Sequence, residues 1–305
     1  MTETLQNYIN GAWCVGASGE TFENENPAER GSVLNRAQAS TAEDVDAAIG
    51  AAAEAFKSWS RTSVAERQAA VSRFLDALAA GREELAKIVS LENGKTINES
   101  RGEVDSALLE GRHHLQQMSL FAGESAPRAE GDVTAWEQLH PLGVIGVISP
   151  WNYPMNVMCR KTLPALLTGN TVVFKPASFT PWSAVFMAGL FEKAGVPAGV
   201  FNCVTGRGSA LGNQLIKDPR VLVHGIHGGR AQDPGDGGGG LHADAARAGR
   251  QERDDRAGGC RPGCRRGGDD QGRVRLLRTV VHLHQPRAAG AGDCRCVPGE
   301  ASRAL

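Results

Sequence analysis

A doubly wound α/β fold with a parallel sheet is what this sequence predicts for its first 220 or so residues. Two observations predict it. Three short apolar runs occur, Gly143–Ile148, Thr171–Lys175 and Val200–Val204, and each ends in a proline or glycine turn. Each is followed by a segment of helical period, at Asn156–Leu167, Trp182–Ala194 and Ala210–Lys217. Apolar runs without alternation belong to strands buried on both faces. Strands separated by helices pair in parallel through crossovers.

The elements before these runs follow in order. Tyr8-Ile9-Asn10-Gly11 reads as a short strand and turn, with Trp13 re-entering a strand. Thr41 is placed to cap an alanine-rich helix reaching Trp59. Ser63-Val64-Ala65-Glu66 is a capping box. After it, Val71, Phe74, Leu75, Leu78 and Ala79 fall at helical spacing. A third helix runs from Glu83 to Asn93 and stops at Asn93-Gly94, and a fourth spans Gly102 to Met118. Asp132 to His140 alternates weakly and is expected to be a strand.

Bulk composition narrows the functional classes. The 305 residues carry a formal net charge of -1. No basic excess points to nucleic acid or an anionic membrane as a partner. No apolar run approaches the roughly 20 residues of a membrane span, and Met1 to Trp13 lacks a secretory pattern. Seven cysteines without paired spacing suit a reducing compartment, so a soluble cytoplasmic protein is expected.

The averages conceal a break. All 16 aromatic residues lie between Tyr8 and Phe201, and the last lysine is Lys217. Val221 to Leu305 holds 18 glycines and 14 arginines in 85 residues. Such a segment has too little apolar area to offset its ordering entropy. Residues 222–305 are therefore expected to form a disordered tail.

Ligands bind at the carboxyl ends of strands in a sheet of this kind. The first strand ends in Ser149-Pro150-Trp151-Asn152-Tyr153-Pro154, where two prolines fix the backbone around an amide. A rigid amide donor can stabilise an oxyanion, although an asparagine in a turn is more commonly only a turn residue. The second strand ends in Lys175-Pro176-Ala177-Ser178. A lysine there can reach a ribose or phosphate, or can simply be solvated. The third strand leads to Gly206-Arg207-Gly208-Ser209-Ala210-Leu211-Gly212. Glycines ahead of a helix let backbone N–H groups approach a pyrophosphate. The spacing is not G-x-G-x-x-G, and a plain turn is the simpler reading of this segment by itself.

Taken together, PWNYP, KPAS and GRGSALG resemble the aldehyde dehydrogenase superfamily, as do NYINGAW, NPAERG, LENGKTINES, LPALLTGNTVVFKPA and AGVPAGVFNCVTG. The resemblance runs from about Tyr8 to Val221. It implies an NAD(P)-binding domain over 1–124 and 143–221, with an oligomerisation-arm strand over 125–142. The implied fold is thus a truncated member with a small β oligomerisation arm. It implies Asn152 as the oxyanion amide, and Ile148, Ser149, Pro150 and Trp151 around the nicotinamide riboside. Lys175 would bind the adenosine ribose, and Gly208 and Gly212 would lie near the pyrophosphate. Ser178 stands where NAD-preferring members carry a glutamate. A carboxylate there repels a 2′-phosphate and a serine does not, so NAD and NADP both remain open. The implied partners are a small aldehyde and further copies of the intact protein, with no nucleic acid and no membrane.

The resemblance also implies a catalytic cysteine in G-Q-x-C and a glutamate in E-L-G-G, and neither motif is present. The genetic code suggests why. When each codon after Val221 is read from its second base, His242–Glu252 permits TRTQLELGGKN and Arg278–Ala288 permits GQWCTSTSRVL. Leu222–His227 permits SFTGST and Asp254–Pro262 permits MIVLEDADL in the same frame. Arg247 then stands at the glutamate position and Val281 at the cysteine position, 34 residues apart. A single frameshift near Val221 is expected, leaving a chain inactive as written. Two alternatives are a non-catalytic NAD(P)-binding module and a metal-binding tail. The tail would use Cys260, Cys264, His282, His284, Cys294 and Cys296, which lack C-x-x-C spacing.

Overall fold

The computed structural model describes residues 3–121, 125–127, 134–226 and 277–284. Two units divide the chain, Met1–His227 with Arg275–Leu305, and Gly228–Val274. The second lies wholly outside the described residues.

The first unit opens with two hairpins. Strands β1 (Asn7–Ile9) and β2 (Ala12–Cys14) pair antiparallel. Asn10 and Gly11 between them both have positive φ, at 52° and 75°, as a tight two-residue turn requires. Strands β3 (Thr21–Glu25) and β4 (Val33–Gln38) form a second antiparallel pair that the sequence reading does not contain. Their inward positions include Asn24 and Asn35, which are buried and bonded to each other at 3.1 Å. Polar residues at inward positions blur the apolar alternation that marks a strand.

Four helices follow. Helix α1 (Ala42–Trp59) starts at Thr41, whose N–H and hydroxyl both donate to the Asp44 carboxylate. Helix α2 (Val64–Ala80) starts at Ser63 in the expected capping box with Glu66. Helix α3 (Arg82–Asn93) ends on Gly94 at φ 79°, a left-handed stop. Helix α4 (Ile97–Gln117) begins five residues before the sequence reading placed it. Its cap is Thr96, which accepts from the Glu99 N–H while Glu99 accepts from the Thr96 N–H. A 3-10 turn covers Met118–Phe121.

Strands β5 (Ser125–Pro127) and β6 (Thr134–Pro141) pair antiparallel, as the expected strand between Asp132 and His140 allows. Then come β7 (Val144–Ile148), α5 (Pro154–Leu167), β8 (Thr171–Lys175), α6 (Pro181–Lys193), β9 (Phe201–Cys203) and α7 (Gly208–Lys217). Strand β10 (Val221–Ile226) lies on the far side of β7. The order across the six-stranded sheet is β10-β7-β8-β9-β1-β2. Strands β10, β7, β8 and β9 are parallel, and the register pairs Val144 with Thr171 and Ile148 with Lys175. The expected parallel neighbours are therefore neighbours in the sheet. Asn170 fixes the start of β7, its side-chain oxygen accepting from the Leu142 and Gly143 N–H groups.

The tail departs from its expectation at two places. Residues up to Ile226 continue as β10, and Leu277–His284 form β11, which pairs with β6 in antiparallel register. Val223 and Ile226, and Thr279, Val280 and Val281, are β-branched and suit a pleated backbone. The rest of 222–305 lies outside the described residues.

Period-2 alternation sends the sheet's side chains into two cores. Ile145, Val147, Val172, Phe174 and Phe201 join Phe74, Leu78, Leu163, Met187 and Phe191 in the larger one. Val144, Val173 and Val204 face the smaller one with Val45, Ile49, Leu211 and Leu215. The helix faces that close the larger core meet tightly at Gly111 of α4. A Cβ there would come within 2.5 Å of Leu75 Cδ2 and 2.9 Å of Leu163 Cδ1. A Cβ at Gly102, earlier in the same helix, meets nothing within 4 Å.

Helix α6 begins without a side-chain cap of its own. Glu92 of α3 supplies one from across the structure. Its carboxylate accepts from the Trp182 N–H at 2.9 Å, the Ser183 N–H at 3.0 Å and the Ser183 hydroxyl. Burial pushes the Glu92 carboxyl up to about 7, and these hydrogen bonds only partly offset that.

Two outcomes follow from this packing. Replacing Gly102 by alanine should stabilise the chain by up to about 1 kcal/mol through helix propensity. Gly111→Ala should destabilise it by roughly 1–3 kcal/mol, because overlap outweighs propensity. Denaturant titration of both variants checks the pair, and equal effects of one sign would contradict the packing described.

The second concerns Glu92, whose folded value lies above its unfolded value near 4.5. Between these values the folded chain holds the extra proton, so this group's contribution to stability falls as pH rises. Glu92→Gln should be less stable than the parent at pH 4.5, by roughly 1–3 kcal/mol for the weakened cap. The gap should narrow towards pH 7, at no more than about 1.4 kcal/mol per pH unit. A gap that stays constant across this range would refute the assignment.

Candidate active site

The carboxyl ends of β7, β8 and β9 meet at one edge of the sheet, and the expected site residues gather there. Ile148 lies beside Lys175 in register, and the Ser149 N–H donates to the Lys175 carbonyl at 3.2 Å. Gly212 of α7 approaches the same point, since a Cβ on it would stand 3.4 Å from Ile148 Cδ1. Lys175 is buried, and its Nζ donates to the Pro176 carbonyl at 3.2 Å. Ser178 is half-buried in the loop between β8 and α6. Gly208 is the first residue of α7, whose N-terminus follows β9.

One feature of this edge fits a bound polar group. Ser149 is 3% exposed, and its hydroxyl has no hydrogen-bond partner among the described residues. Buried hydroxyls in native proteins are nearly always satisfied, so the orphan fits a ligand oxygen or an ordered water. The loop from β9 to α7 is anchored from below by Asn7 of β1. Its side-chain oxygen accepts from the Thr205 N–H at 2.9 Å, and its Nδ2 donates to Ser40 Oγ at 2.7 Å. This anchor belongs to NYINGAW, whose role the sequence alone does not show.

Trp151, Asn152 and Tyr153 are exposed at the mouth of the edge. Asn152 borders a shallow cavity of about 240 Å³ with Ser106, Tyr153, Asn156, Val157 and Arg160. Arg160 brings the one cation on that wall. Its Nε lies 3.0 and 3.2 Å from the two oxygens of Glu110, and its Nη2 also donates to Glu110. Burial raises the Glu110 carboxyl, but the Arg160 hydrogen bonds and charge outweigh it and hold it below the ordinary value.

The described cysteines are unsuited to nucleophilic work. Cys159 and Cys203 are buried, and burial raises both thiols, Cys203 to about 12 and Cys159 further. Cys14 is half-buried and likewise raised, by burial and by the Asp44 charge. A thiol so raised holds almost no thiolate near neutral pH. Val281, at the expected cysteine position, lies in β11 opposite Glu137 of β6. Arg247, Cys260, Cys264, Cys294 and Cys296 lie outside the described residues. Among the described residues no group of three or more His, Cys, Asp or Glu side chains could hold a metal, and no helix is long and apolar enough to cross a membrane.

Comparison with known proteins agrees with this geometry. The family model "Aldehyde dehydrogenase family" matches residues 13–231. The D-glyceraldehyde dehydrogenase (NADP(+)) of Thermoplasma acidophilum is 37% identical over 214 residues, covering 70% of this chain and 43% of that protein. The alpha-ketoglutaric semialdehyde dehydrogenase of Bacillus subtilis is 40% identical over 218 residues, covering 72% of this chain and 45% of that protein. A crystal structure of an NAD-dependent aldehyde dehydrogenase from Sinorhizobium meliloti superposes with a TM-score of 0.71 at 35% identity. It covers 73% of this chain and 45% of that one. The chain spans less than half the length of the relatives it matches. Fold and sequence agree, and the chain belongs to the aldehyde dehydrogenase family.

Proposed function

We propose that this chain is the cofactor-binding part of an NAD(P)-dependent aldehyde dehydrogenase, and that as written it binds NAD(P) without oxidising aldehydes. The observation that carries the reading is the meeting of Ile148, Lys175 and Gly212 at the carboxyl edge of the sheet, next to Ser149, whose buried hydroxyl has no hydrogen-bond partner among the described residues. In this reading Lys175 holds the adenosine ribose. Gly208 and Gly212 open the α7 N-terminus to the pyrophosphate, where N–H groups and the helix dipole favour an anion. Ile148, Ser149, Pro150 and Trp151 line the nicotinamide riboside, and Asn152 turns its amide towards the aldehyde oxygen. Bound NAD(P)+ would accept the hydride. With Ser178 in place of a carboxylate, both NAD and NADP fit, as the names of the relatives also suggest.

The missing step is nucleophilic attack. Val281 has no lone pair to add to a carbonyl, and Arg247 cannot accept a proton near neutral pH. The raised thiols of Cys159 and Cys203 do not replace them. We attribute the loss to a frameshift near Val221. The intact protein would act on a small polar aldehyde, consistent with a cavity lined by Ser106, Asn152 and Arg160. Glyceraldehyde and alpha-ketoglutaric semialdehyde, named for two relatives, belong to that class. It would be a cytoplasmic homo-oligomer using β5 and β6 as its arm.

The first test measures binding. The chain should quench or enhance NAD(P)H fluorescence on titration, and Lys175→Ala should weaken the affinity about tenfold, roughly 1.4 kcal/mol. An unchanged affinity in that variant would remove Lys175 from the site. The second test compares the chain as given with one whose reading frame is restored after Val221. NAD(P)H formation at 340 nm with short aliphatic aldehydes and semialdehydes should appear only in the restored chain. Comparable rates in both would overturn the frameshift and the assignment of the nucleophile.

A further inference from the structure

The segment Asn93-Gly94-Lys95 between α3 and α4 has no part in the reading above, yet it reaches the Asn152 loop. Asn93 Nδ2 donates to the Trp151 carbonyl. Lys95 Nζ lies 4.1 Å from the centroid of the Tyr153 ring. The same Nζ is ion-paired at 2.5 Å with Glu103 of α4, whose side chain is 1% exposed. The other carboxylate oxygen of Glu103 accepts from the Met155 N–H at 2.9 Å and the Asn156 N–H at 3.3 Å, at the start of α5. Helix α5 has no side-chain cap of its own, so Glu103 is its cap. Trp151, Tyr153, Met155 and Asn156, on either side of Asn152, are thus held from α3, α4 and the loop between them.

We infer that Lys95 and Glu103 are positioning residues for the Asn152 amide. The inference rests on the reading of Asn152 as the oxyanion donor. Asn152 itself is exposed, so its aim depends on its neighbours. Tyr153 is 52% exposed and has little packing to fix it apart from the ammonium over its face. A cation at this distance from a ring is attracted by the ring quadrupole. Lys95 serves a second purpose, because it neutralises a carboxylate that would otherwise be buried without a counter-charge at the helix start. One ammonium group therefore connects the cap of α5 to the ring beside Asn152. A displacement of about 1 Å in a catalytic group can lower a rate on the order of a hundredfold, so a clamp of this kind acts on kcat.

The chain itself provides the first arm of the test. Five tryptophans are present, and labelling with 5-fluorotryptophan gives each a fluorine signal. The Trp151 signal is identified by its loss in Trp151→Phe. Lys95→Met should shift and broaden it while the Trp13 and Trp59 signals stay in place. Lys95→Arg, which keeps charge and stacking, should restore it. Tyr153→Leu removes only the ring contact at an exposed site and should shift the same signal should Lys95→Met fail to fold. A Trp151 signal unmoved in the folded variants would overturn the clamp.

The second arm uses the chain with its frame restored. Lys95→Met and Glu103→Gln should lower kcat about 10- to 100-fold with KM for NAD(P) unchanged, and Lys95→Arg should stay within about threefold of the parent. An active parent whose kcat survives Lys95→Met removes the positioning role alone. An inactive parent that still binds NAD(P) removes the proposed function and the positioning role with it.

Discussion

Two buried carboxyl groups fix the loops that leave β7 and β8. Helices α5 and α6 start inside the protein, directly after the loops that leave β7 and β8. Neither start has a local side-chain cap, and an unsatisfied N–H group buried there would be costly. Glu103 bonds the first N–H groups of α5, and Glu92 those of α6. Both place carboxyl oxygens at the positive end of a helix dipole. Both come from one short stretch of α3 and α4. A peripheral helical pair therefore fixes the two loops, 149–153 and 176–180, that bear the candidate site.

The division of the sheet into two cores gives this arrangement its direction. The larger core, with its stacked Phe74, Phe191 and Phe201 rings, lies on the face of α2, α4, α5 and α6. The smaller core, on the face of α1 and α7, contains Val144, Val173 and Leu215, with Ile148 packed at its margin. Gly146 lets α7 come close, since a Cβ there would lie 3.0 Å from Leu215 and 3.1 Å from Val221. The candidate edge touches the smaller core through Ile148. The caps arrive from the side of the larger one.

This explains what could be read from the sequence and what could not. Strands β7, β8 and β9 were legible because burial on both faces leaves nearly unbroken apolar runs. Lys175, Gly208 and Gly212 stand out as candidates because ligands bind at strand ends in such a sheet, and Ser178 stands out through the family resemblance. The β3–β4 hairpin was not legible, since Asn24 and Asn35 replace the expected inward apolar residues and satisfy each other. The first turn of α4 was missed because Thr96 and Glu99 sit in a polar stretch, Lys95 to Ser100, with little apolar period. Glu103 and Lys95 were missed for a deeper reason. A cap supplied from 52 residues away leaves no local pattern, so the LENGK segment is visible as a motif and silent as a mechanism. Strand β11 was missed because glycine and arginine around it hide a short β-branched run.

Binding and chemistry are separable along this chain. Every group that shapes the candidate edge, from Asn7 through Gly212, precedes the break in composition near Val221. The caps, the Asn7–Thr205 anchor and both cores draw on the same span, apart from Val221 at its boundary. In the proposed reading the nucleophile and the base would come from later in the chain, where Val281 and Arg247 now stand. None of the described contacts that hold Ser149, Lys175 or the Trp151–Tyr153 loop involves those later residues. In that reading, loss of the frame after Val221 would remove the reacting groups and leave the scaffold that would hold the cofactor. A chain built this way can keep the binding edge of its family after losing the family's reaction.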